Sequence, residues 1–240
     1  MKIHFTRNLS TKGSLKEIKG KNLAISDRFL KPDLLVLNLG KGTSYEEIQR
    51  KMISFADLRL QKSQPDQIWY TVHEEVIAYG RQGKQWQVLN PGAIPIIKAR
   101  RGGAVTYHGP GQLVLYPLLD LRSWNLRGIE FLSILEKAAL RTLLDLRCPA
   151  EICEDSRGVF VKGKKICSIG IGIRRGFTHH GLAFNIDCDL ENFKRIFPCA
   201  DKTQSVTNLL DWIASINENV LITNFIEELN FLLTNHSKKF

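Results

Sequence analysis

The sequence predicts an α+β fold, in which a mixed β-sheet is flanked by helices. Strand-like apolar runs come in clusters, and single helix-like segments separate these clusters instead of alternating regularly with the strands. The 240-residue chain shows no internal repeat and no low-complexity linker. Because 43% of its residues are hydrophobic, the chain is long and apolar enough to bury one sizeable core.

The first half of the chain predicts one helix among several strands. An apolar run at 34–39 ends at Gly40 and is typical of a short strand. Ser44 and Glu47 have the spacing of a capping box, so a helix is expected to begin there and to continue to about residue 62. The strands predicted after this helix cover 67–72, 75–80, 94–99 and 113–121.

The second half of the chain begins with a strong helix pattern after Gly128. Its apolar stripe is predicted to contain Ile129, Leu132, Leu135, Ala139 and Leu143. The later elements are strands at 158–161, 164–174 and 181–187, a short helix near 189–196, and two helical segments after Gln204.

The net charge of +10 is unevenly distributed along the chain. Residues 1–31 hold eight Lys or Arg against two acidic residues, so 8 − 2 = +6 of the charge lies there. The same segment is polar and weakly periodic, which favours a solvated basic extension over residues 1–32 and a single domain over 33–240. No aromatic interleaving or binding motif accompanies the charge, so no nucleic-acid partner is expected.

Other sequence patterns indicate the cellular environment of the protein. No apolar run approaches the roughly 18 residues of a membrane span, and no signal-peptide pattern is present, so a soluble protein without a membrane partner is expected. The five cysteines form no CxxC pair. This argues against a disulfide framework or a metal site and favours a reducing cytoplasm. No cofactor is expected.

The segment RGGAVTYHGPGQ, residues 101–112, is the first of three segments that carry chemistry. Gly102 and Gly103 allow a ligand to approach the backbone closely, and exposed N–H groups there can bind an oxygen atom. Arg101, Tyr107 and His108 can orient polar groups of the same ligand. A plain but elaborate hairpin loop explains the pattern equally well from spacing alone.

The second segment is GKKICSIGIGIRRGFTHHGLAFNID, residues 163–187. In a strand over 164–174, strict alternation places Lys165 on one face with Cys167 and three isoleucines. Burial of this apolar face would disfavour the charged form of the lysine. Alternatively, Lys165 lies at the end of the strand and extends its amine to solvent.

The third segment is IFPCADKTQSVTNLL, which contains Cys199. The other four cysteines lie in apolar or alternating contexts, and we interpret them as small buried hydrophobes. Cys199 instead follows Pro198 in a loop with polar neighbours, where a thiol is accessible. Accessibility by itself does not distinguish a reactive thiol from an inert one.

Together, the three segments closely resemble the lipoyl(octanoyl) transferase family, and the resemblance runs from about Leu34 to about Leu210. Members of this family move an octanoyl group from acyl carrier protein to a lysine of a lipoyl-carrier domain. The resemblance implies a mixed sheet flanked by helices, similar to the catalytic domain of biotin and lipoate protein ligases.

The resemblance also implies roles for individual residues. Cys199 would be the nucleophile that carries the acyl group as a thioester, and Lys165 would promote ionisation of the thiol and move protons. Ala200 stands where the family usually has glycine. The residues that would bind the acyl substrate are Arg101, Gly102, Gly103, Ala104, Val105, Thr106, Tyr107, His108, Ser168, Ile169, Gly170, Gly181, Leu182 and Ala183.

The partners implied by the resemblance are octanoyl-acyl carrier protein as donor, and as acceptors the lipoyl domains of 2-oxoacid dehydrogenases and the glycine cleavage H protein. A monomer is expected.

Two alternative functions remain. The first is an ATP-dependent lipoate-protein ligase. Such ligases have a pattern similar to RRxxGGGAVYHD in the loop where this chain has GAVTYHGPGQ. A non-catalytic basic protein would bind an acyl carrier without transferring its acyl group.

Overall fold

A computed structural model describes residues 34–61, 64–197 and 204–237. The predicted basic extension over 1–32 lies outside these residues. The three α-helices of the described chain are α1 (Tyr45–Gln61), α2 (Gly128–Asp145) and α3 (Glu218–Ser237). Its strands are β1 (Leu35–Thr43), β2 (Gln67–His73), β3 (Val76–Tyr79), β4 (Ile96–Lys98), β5 (Val105–His108), β6 (Gln112–Leu118), β7 (Glu151–Cys153), β8 (Ser156–Val161), β9 (Lys164–Arg174) and β10 (Phe177–Asn185). Short 3₁₀ turns cover Gln85–Gln87, Leu190–Arg195 and Leu209–Asp211.

The strands form two sheets, and both sheets are mixed. The larger sheet has the order β1-β2-β6-β10-β9-β8-β7, in which β1 and β2 are parallel and the other neighbours are antiparallel. The smaller sheet has the order β4-β3-β5, with β3 parallel to β4 and antiparallel to β5. The predicted α+β fold with a mixed sheet is confirmed.

Helices cover both faces of the large sheet, which explains why its central strands are so apolar. All seven residues of β6 are buried, and they alternate between two cores. Leu113 and Leu115 belong to the main core with α2 and α3. Val114 and Tyr116 belong to a smaller core with Ile48 and other residues of α1. No helix of the described residues is long and apolar enough to cross a bilayer.

The ends of the first two helices match the sequence patterns only in part. At the start of α1, the backbone N–H of Glu47 donates to Ser44 Oγ at 3.4 Å, whereas the Glu47 carboxylate lies 2.6 Å from Lys51 Nζ. In α2, the predicted stripe is buried at Leu135, but Ile129 is 52% exposed. Ile129 precedes Leu135 by six positions, which places it about 120° around the helix and off the buried face.

Candidate active site

A cavity of about 630 Å³ opens beside β9 and follows this strand from Lys165 to Ile171. Its volume lies within the range of small-molecule sites. All residues predicted to bind the acyl substrate line it, with the exception of Tyr107. The other lining residues are Tyr45, Gln82, Val114, Tyr116, Leu132, Asp155, Ser156, Arg157, Lys165, Ile171 and His180.

The loop at 101–104 forms one wall of this cavity and is held by the buried side chain of Arg101. Its guanidinium donates to the carbonyl oxygens of Gly102 at 2.9 Å and Ala104 at 3.1 Å, and to that of Ala78 at 2.9 Å. The N–H of Gly102 donates to Ile171 O at 2.8 Å, which ties the loop to β9. Gly103 has φ +77°, a conformation that glycine adopts without strain. Arg101 therefore shapes the wall.

The structure does not bring Tyr107 to the cavity. Its hydroxyl donates to Glu75 Oε1 at 3.0 Å and accepts from Asn192 Nδ2 at 3.1 Å. Its ring packs edge-on against Phe193, in a separate core beneath the small sheet. Because side chains alternate along β5, Thr106 and His108 reach the cavity while Tyr107 points away from it. Tyr107 is therefore the one residue predicted to bind the acyl substrate that does not line this cavity.

Lys165 is buried, with only 1% of its surface exposed, so the alternative in which its amine reaches solvent is wrong. Its Nζ lies 5.0 Å from the centre of the Phe160 ring and donates to Ser156 Oγ at 3.4 Å. The register between β8 and β9 shifts where Val159 pairs with Cys167 and Phe160 with Lys165. This β-bulge interrupts the predicted alternation, and Lys165 shares the cavity with Ser168 and Gly170.

Cys199 and Ala200 lie outside the described residues, but the chain on both sides is anchored. The N–H of Phe197 donates to Gln87 O at 2.7 Å. After the gap, Ser205 O accepts from the N–H of Lys165 at 2.9 Å, and the N–H of Thr207 donates to Lys165 O at 3.0 Å. The backbone of Lys165 is thus paired with a segment that begins six residues after Cys199.

The other four cysteines are free thiols. Cys148, Cys167 and Cys188 are buried, as predicted, and Cys153 is half-buried. Burial raises the pKa of Cys148 to about 11 and that of Cys188 to about 12. Burial raises the pKa of the Cys167 thiol further still. These three thiols are therefore protonated at neutral pH and are poor nucleophiles.

Aromatic and imidazole rings close the cavity near Ile171. Tyr45 stacks on His108 with ring centres 5.3 Å apart, and His180 lies 6.0 Å from both Tyr45 and Tyr116. His73, behind them, bonds through Nε2 to the hydroxyl of Tyr116 at 2.6 Å. Tyr45 is the first residue of α1 and was not among the residues predicted to bind the substrate. Its role at the cavity depends on how α1 crosses the sheet, for which the local sequence contains no signal.

The histidines around the cavity are neutral at physiological pH. Burial lowers the pKa of His73 and of His179 to about 4, and that of His108 to about 3. Burial and the neighbouring His179 hold the pKa of His180 well below its ordinary value. His179 and His180 share a hydrogen bond of 2.7 Å between their Nδ1 atoms, so one ring donates and the other accepts.

Stability is expected to fall as the pH is lowered from about 6.5 toward 4. In this window the unfolded histidines bind protons and the buried ones do not, so protonation favours the unfolded state. Each such histidine lowers the free energy of unfolding by up to about 1.4 kcal/mol per pH unit. Urea unfolding at pH 7, 6 and 5 measures this loss. His73→Gln should reduce the slope of the free energy of unfolding against pH by the equivalent of about one proton. A free energy of unfolding that does not change with pH in this range would contradict the assignment of neutral histidines.

Comparison with solved structures places this fold among the ligases. The chain superimposes on a bipartite lipoate protein ligase from Thermoplasma acidophilum with a TM-score of 0.62 and 16% identity, over 88% of this chain and 91% of that one. A biotin protein ligase from Aquifex aeolicus gives a TM-score of 0.54 and 12% identity, over 87% and 73%. The chain therefore has the fold of the lipoate and biotin protein ligases.

Sequence comparison identifies the family within this class. The model of the lipoyl protein ligase A/B catalytic domain matches residues 48–230. An octanoyltransferase from Alkalilimnicola ehrlichii is 44% identical over 75% of this chain and 82% of that protein. The chain belongs to the lipoyl protein ligase A/B catalytic domain family and, within it, to the octanoyltransferases. It is an acyltransferase.

Proposed function

We propose that this enzyme transfers an octanoyl group from octanoyl-acyl carrier protein, through a thioester on Cys199, to the ε-amino group of a lysine on lipoyl-carrier domains. One observation carries the proposal. A buried lysine, Lys165, lines the same cavity as the glycine-rich loop at 101–104 and the small residues of β9 and β10, and its backbone pairs with the segment that follows Cys199.

In the first half-reaction, the Cys199 thiolate attacks the carbonyl carbon of the donor thioester. The bond from that carbon to the carrier's phosphopantetheine sulfur breaks, and the departing thiolate takes up a proton. A free thiol is only a few per cent ionised at neutral pH, so a nearby amine that accepts its proton favours the attack. Lys165 is our candidate for this group.

In the second half-reaction, the lysine amine of the acceptor attacks the acyl-Cys199 thioester. The new amide bond forms, the C–S bond breaks, and the amine loses a proton to a base, for which Lys165 is again the candidate. The proton is then available to the departing Cys199 thiolate. Because an amide is much more stable than a thioester, the transfer is effectively one-way.

The cavity wall provides complementary surfaces for the two parts of the acyl group. The oxyanion of each tetrahedral intermediate needs hydrogen-bond donors, and backbone N–H groups next to Cys199 are our candidates. Leu182, Ala183 and Ile169 supply apolar contacts for the alkyl chain. Gly170 pairs with Gly181 across β9 and β10, so the sheet presents almost no side-chain bulk at this level.

The proposed donor and acceptors are octanoyl-acyl carrier protein and the lipoyl domains of 2-oxoacid dehydrogenases and the glycine cleavage H protein. Such carriers are typically acidic, and the net charge of +10 would accelerate their encounter with the enzyme. The rate with carrier-bound donor should then decrease as salt is added. A cytoplasmic location and a monomeric state remain predictions from the sequence.

Deletion of residues 1–32 is expected to leave turnover largely intact, because the proposed catalytic domain covers 33–240 and the family model begins at residue 48. Octanoyl transfer by the truncated and full chains, measured side by side with far-UV circular dichroism, tests this boundary. A collapse of activity in a folded truncated protein would assign the basic segment to the site.

The proposed function is tested by intact mass spectrometry after the protein is incubated with octanoyl-acyl carrier protein in the absence of ATP. We expect one octanoyl adduct on Cys199, its removal by hydroxylamine, and its transfer to an added lipoyl domain. Strict dependence on ATP and free octanoate would instead support a ligase. Tight carrier binding without an adduct would support the non-catalytic alternative.

A further inference from the structure

The backbone of Lys165 lies between strand β8 and a segment that belongs to no named strand. Strand β10 pairs with β9 no further than Phe184, so it does not reach Lys165. Residues 205–207 take its place, because the N–H of Lys165 donates to Ser205 O at 2.9 Å and the N–H of Thr207 donates to Lys165 O at 3.0 Å. The position of this lysine therefore depends on what holds residues 205–207.

Three hydrogen bonds connect Thr207 to the wall of the cavity. Thr207 O accepts from Asn185 Nδ2 at 3.2 Å, and Asn185 Oδ1 accepts from Gln112 Nε2 at 3.0 Å. Gln112 Oε1 lies 2.6 Å from Nδ1 of His108, which lines the cavity. These four residues, the amide bridge, are all buried, with at most 6% of any of them exposed. The amide bridge therefore joins the segment beside Lys165 to the wall at His108.

The end of the amide bridge at Thr207 fixes the direction of every bond in it. A backbone carbonyl can only accept, so Asn185 turns its Nδ2 toward Thr207 and its Oδ1 toward Gln112. Gln112 then offers its oxygen to His108, whose Nδ1 is the donor. Burial lowers the pKa of His108 to about 3, so this ring is neutral and its one N–H proton is on Nδ1. A buried polar network whose two carboxamides are bonded at both ends favours a single arrangement.

We propose that Gln112 and Asn185 are positioning residues for octanoyl transfer. Their carboxamides hold residues 205–207, and through them Lys165, in a fixed position relative to the cavity wall at His108. This inference rests on the proposed function. Neither carboxamide residue lines the cavity, so both act through other residues and not by contact with the acyl group. Displacement of a reacting group by about 1 Å can lower a rate by about 10²-fold, so loss of the amide bridge should affect the rate of acyl transfer more than donor binding.

The test measures single-turnover acylation of the enzyme by octanoyl-acyl carrier protein. Asn185→Ala and Gln112→Ala should each lower the maximal rate constant by about 10- to 100-fold, while the donor concentration that gives half of the maximal rate stays within about 2-fold of wild type. Loss of a fraction of folded enzyme would instead lower the amplitude of the reaction and leave the rate constant of the folded enzyme unchanged. In the double variant we expect a loss close to the larger single loss, because both substitutions interrupt the same bridge.

The matched control is Asn230→Ala, because Asn230 is as deeply buried as Asn185, with 2% of its surface exposed. It lies in α3, and no residue of α3 lines the cavity. This variant loses a buried carboxamide at a distance from Lys165, so it should keep the wild-type rate constant even if its free energy of unfolding decreases.

Three results would overturn the inference: wild-type rate constants in both Asn185→Ala and Gln112→Ala, losses that multiply in the double variant, or an equal loss in Asn230→Ala. If Asn185→Ala does not fold, Gln112→Met tests the same bridge, because methionine keeps the approximate volume of glutamine and lacks its carboxamide. Failure of the wild-type enzyme to form an octanoyl adduct would instead overturn the proposed function.

Discussion

Replacing Cys199 by serine is expected to abolish octanoyl transfer, with a loss of about 10³-fold or more in kcat/KM. A serine hydroxyl is much harder to ionise than a thiol, so proton transfer to a nearby amine no longer produces a competent nucleophile. Exchange of one thioester for another costs little free energy, whereas an ester on serine would release its acyl group slowly to the acceptor. Turnover with an added lipoyl domain, together with the intact mass of the enzyme after exposure to donor, measures both effects.

The matched control is Cys153→Ser, because Cys153 is half-buried in β7 and so presents part of its surface to solvent. This variant should keep its activity and still gain the octanoyl mass. The assignment of Cys199 would be wrong if Cys199→Ser turned over at a near-normal rate. It would also be wrong if the octanoyl group of the wild-type enzyme mapped to another cysteine.

Much of the fold could be predicted because burial of one face gives most helices and strands a regular spacing of apolar residues. The boundaries of α1 and β2 agree with the sequence patterns to within one or two residues, since each helix or strand faces a core directly. The three-residue strand β7 was missed, because Glu151 and Ile152 are exposed and no apolar pattern marks them. The strand at Val105–His108 was hidden inside a segment whose glycines indicate a loop.

The candidate site was predictable to the extent that its residues are local in sequence. The small residues of β9 and β10 lie together because the two strands form an antiparallel pair, and Gly170 lies directly opposite Gly181. The end of the cavity near Ile171 was not predictable. It is built from the first residue of α1, from β6 and from the strained residue His180, and these meet only when α1 packs across the sheet.

The position of Lys165 also shows where a sequence pattern is insufficient. Alternation along β9 separates this lysine from Ser168 and Gly170, but the bulge opposite Phe160 brings all three to one cavity. A bulge depends on the pairing of two strands, and neither strand reveals it alone. The consequence is that a lysine near the strand end, which sequence statistics would assign to solvent, is buried beside the residues proposed to bind the acyl group.

Lys165→Met is therefore expected to slow both half-reactions by about 10²- to 10⁴-fold, the usual contribution of a general acid or base. Methionine keeps most of the apolar volume against Phe160 and removes the amine, so the free energy of unfolding should change little. Rapid-quench measurements of Cys199 acylation, and of transfer from the pre-acylated enzyme to a lipoyl domain, separate the two steps.

Lys164→Met is the control for this variant, because Lys164 is the adjacent residue and is exposed to solvent. It removes the same charge from the same strand, so a purely long-range effect of charge on carrier binding would appear in both variants and would weaken with salt. A loss confined to Lys165→Met and insensitive to salt supports proton transfer by this amine. Normal rates for both half-reactions in a folded Lys165→Met protein would show that another group carries the proton, and the geometry then leaves Lys165 a structural role between Phe160 and Ser156.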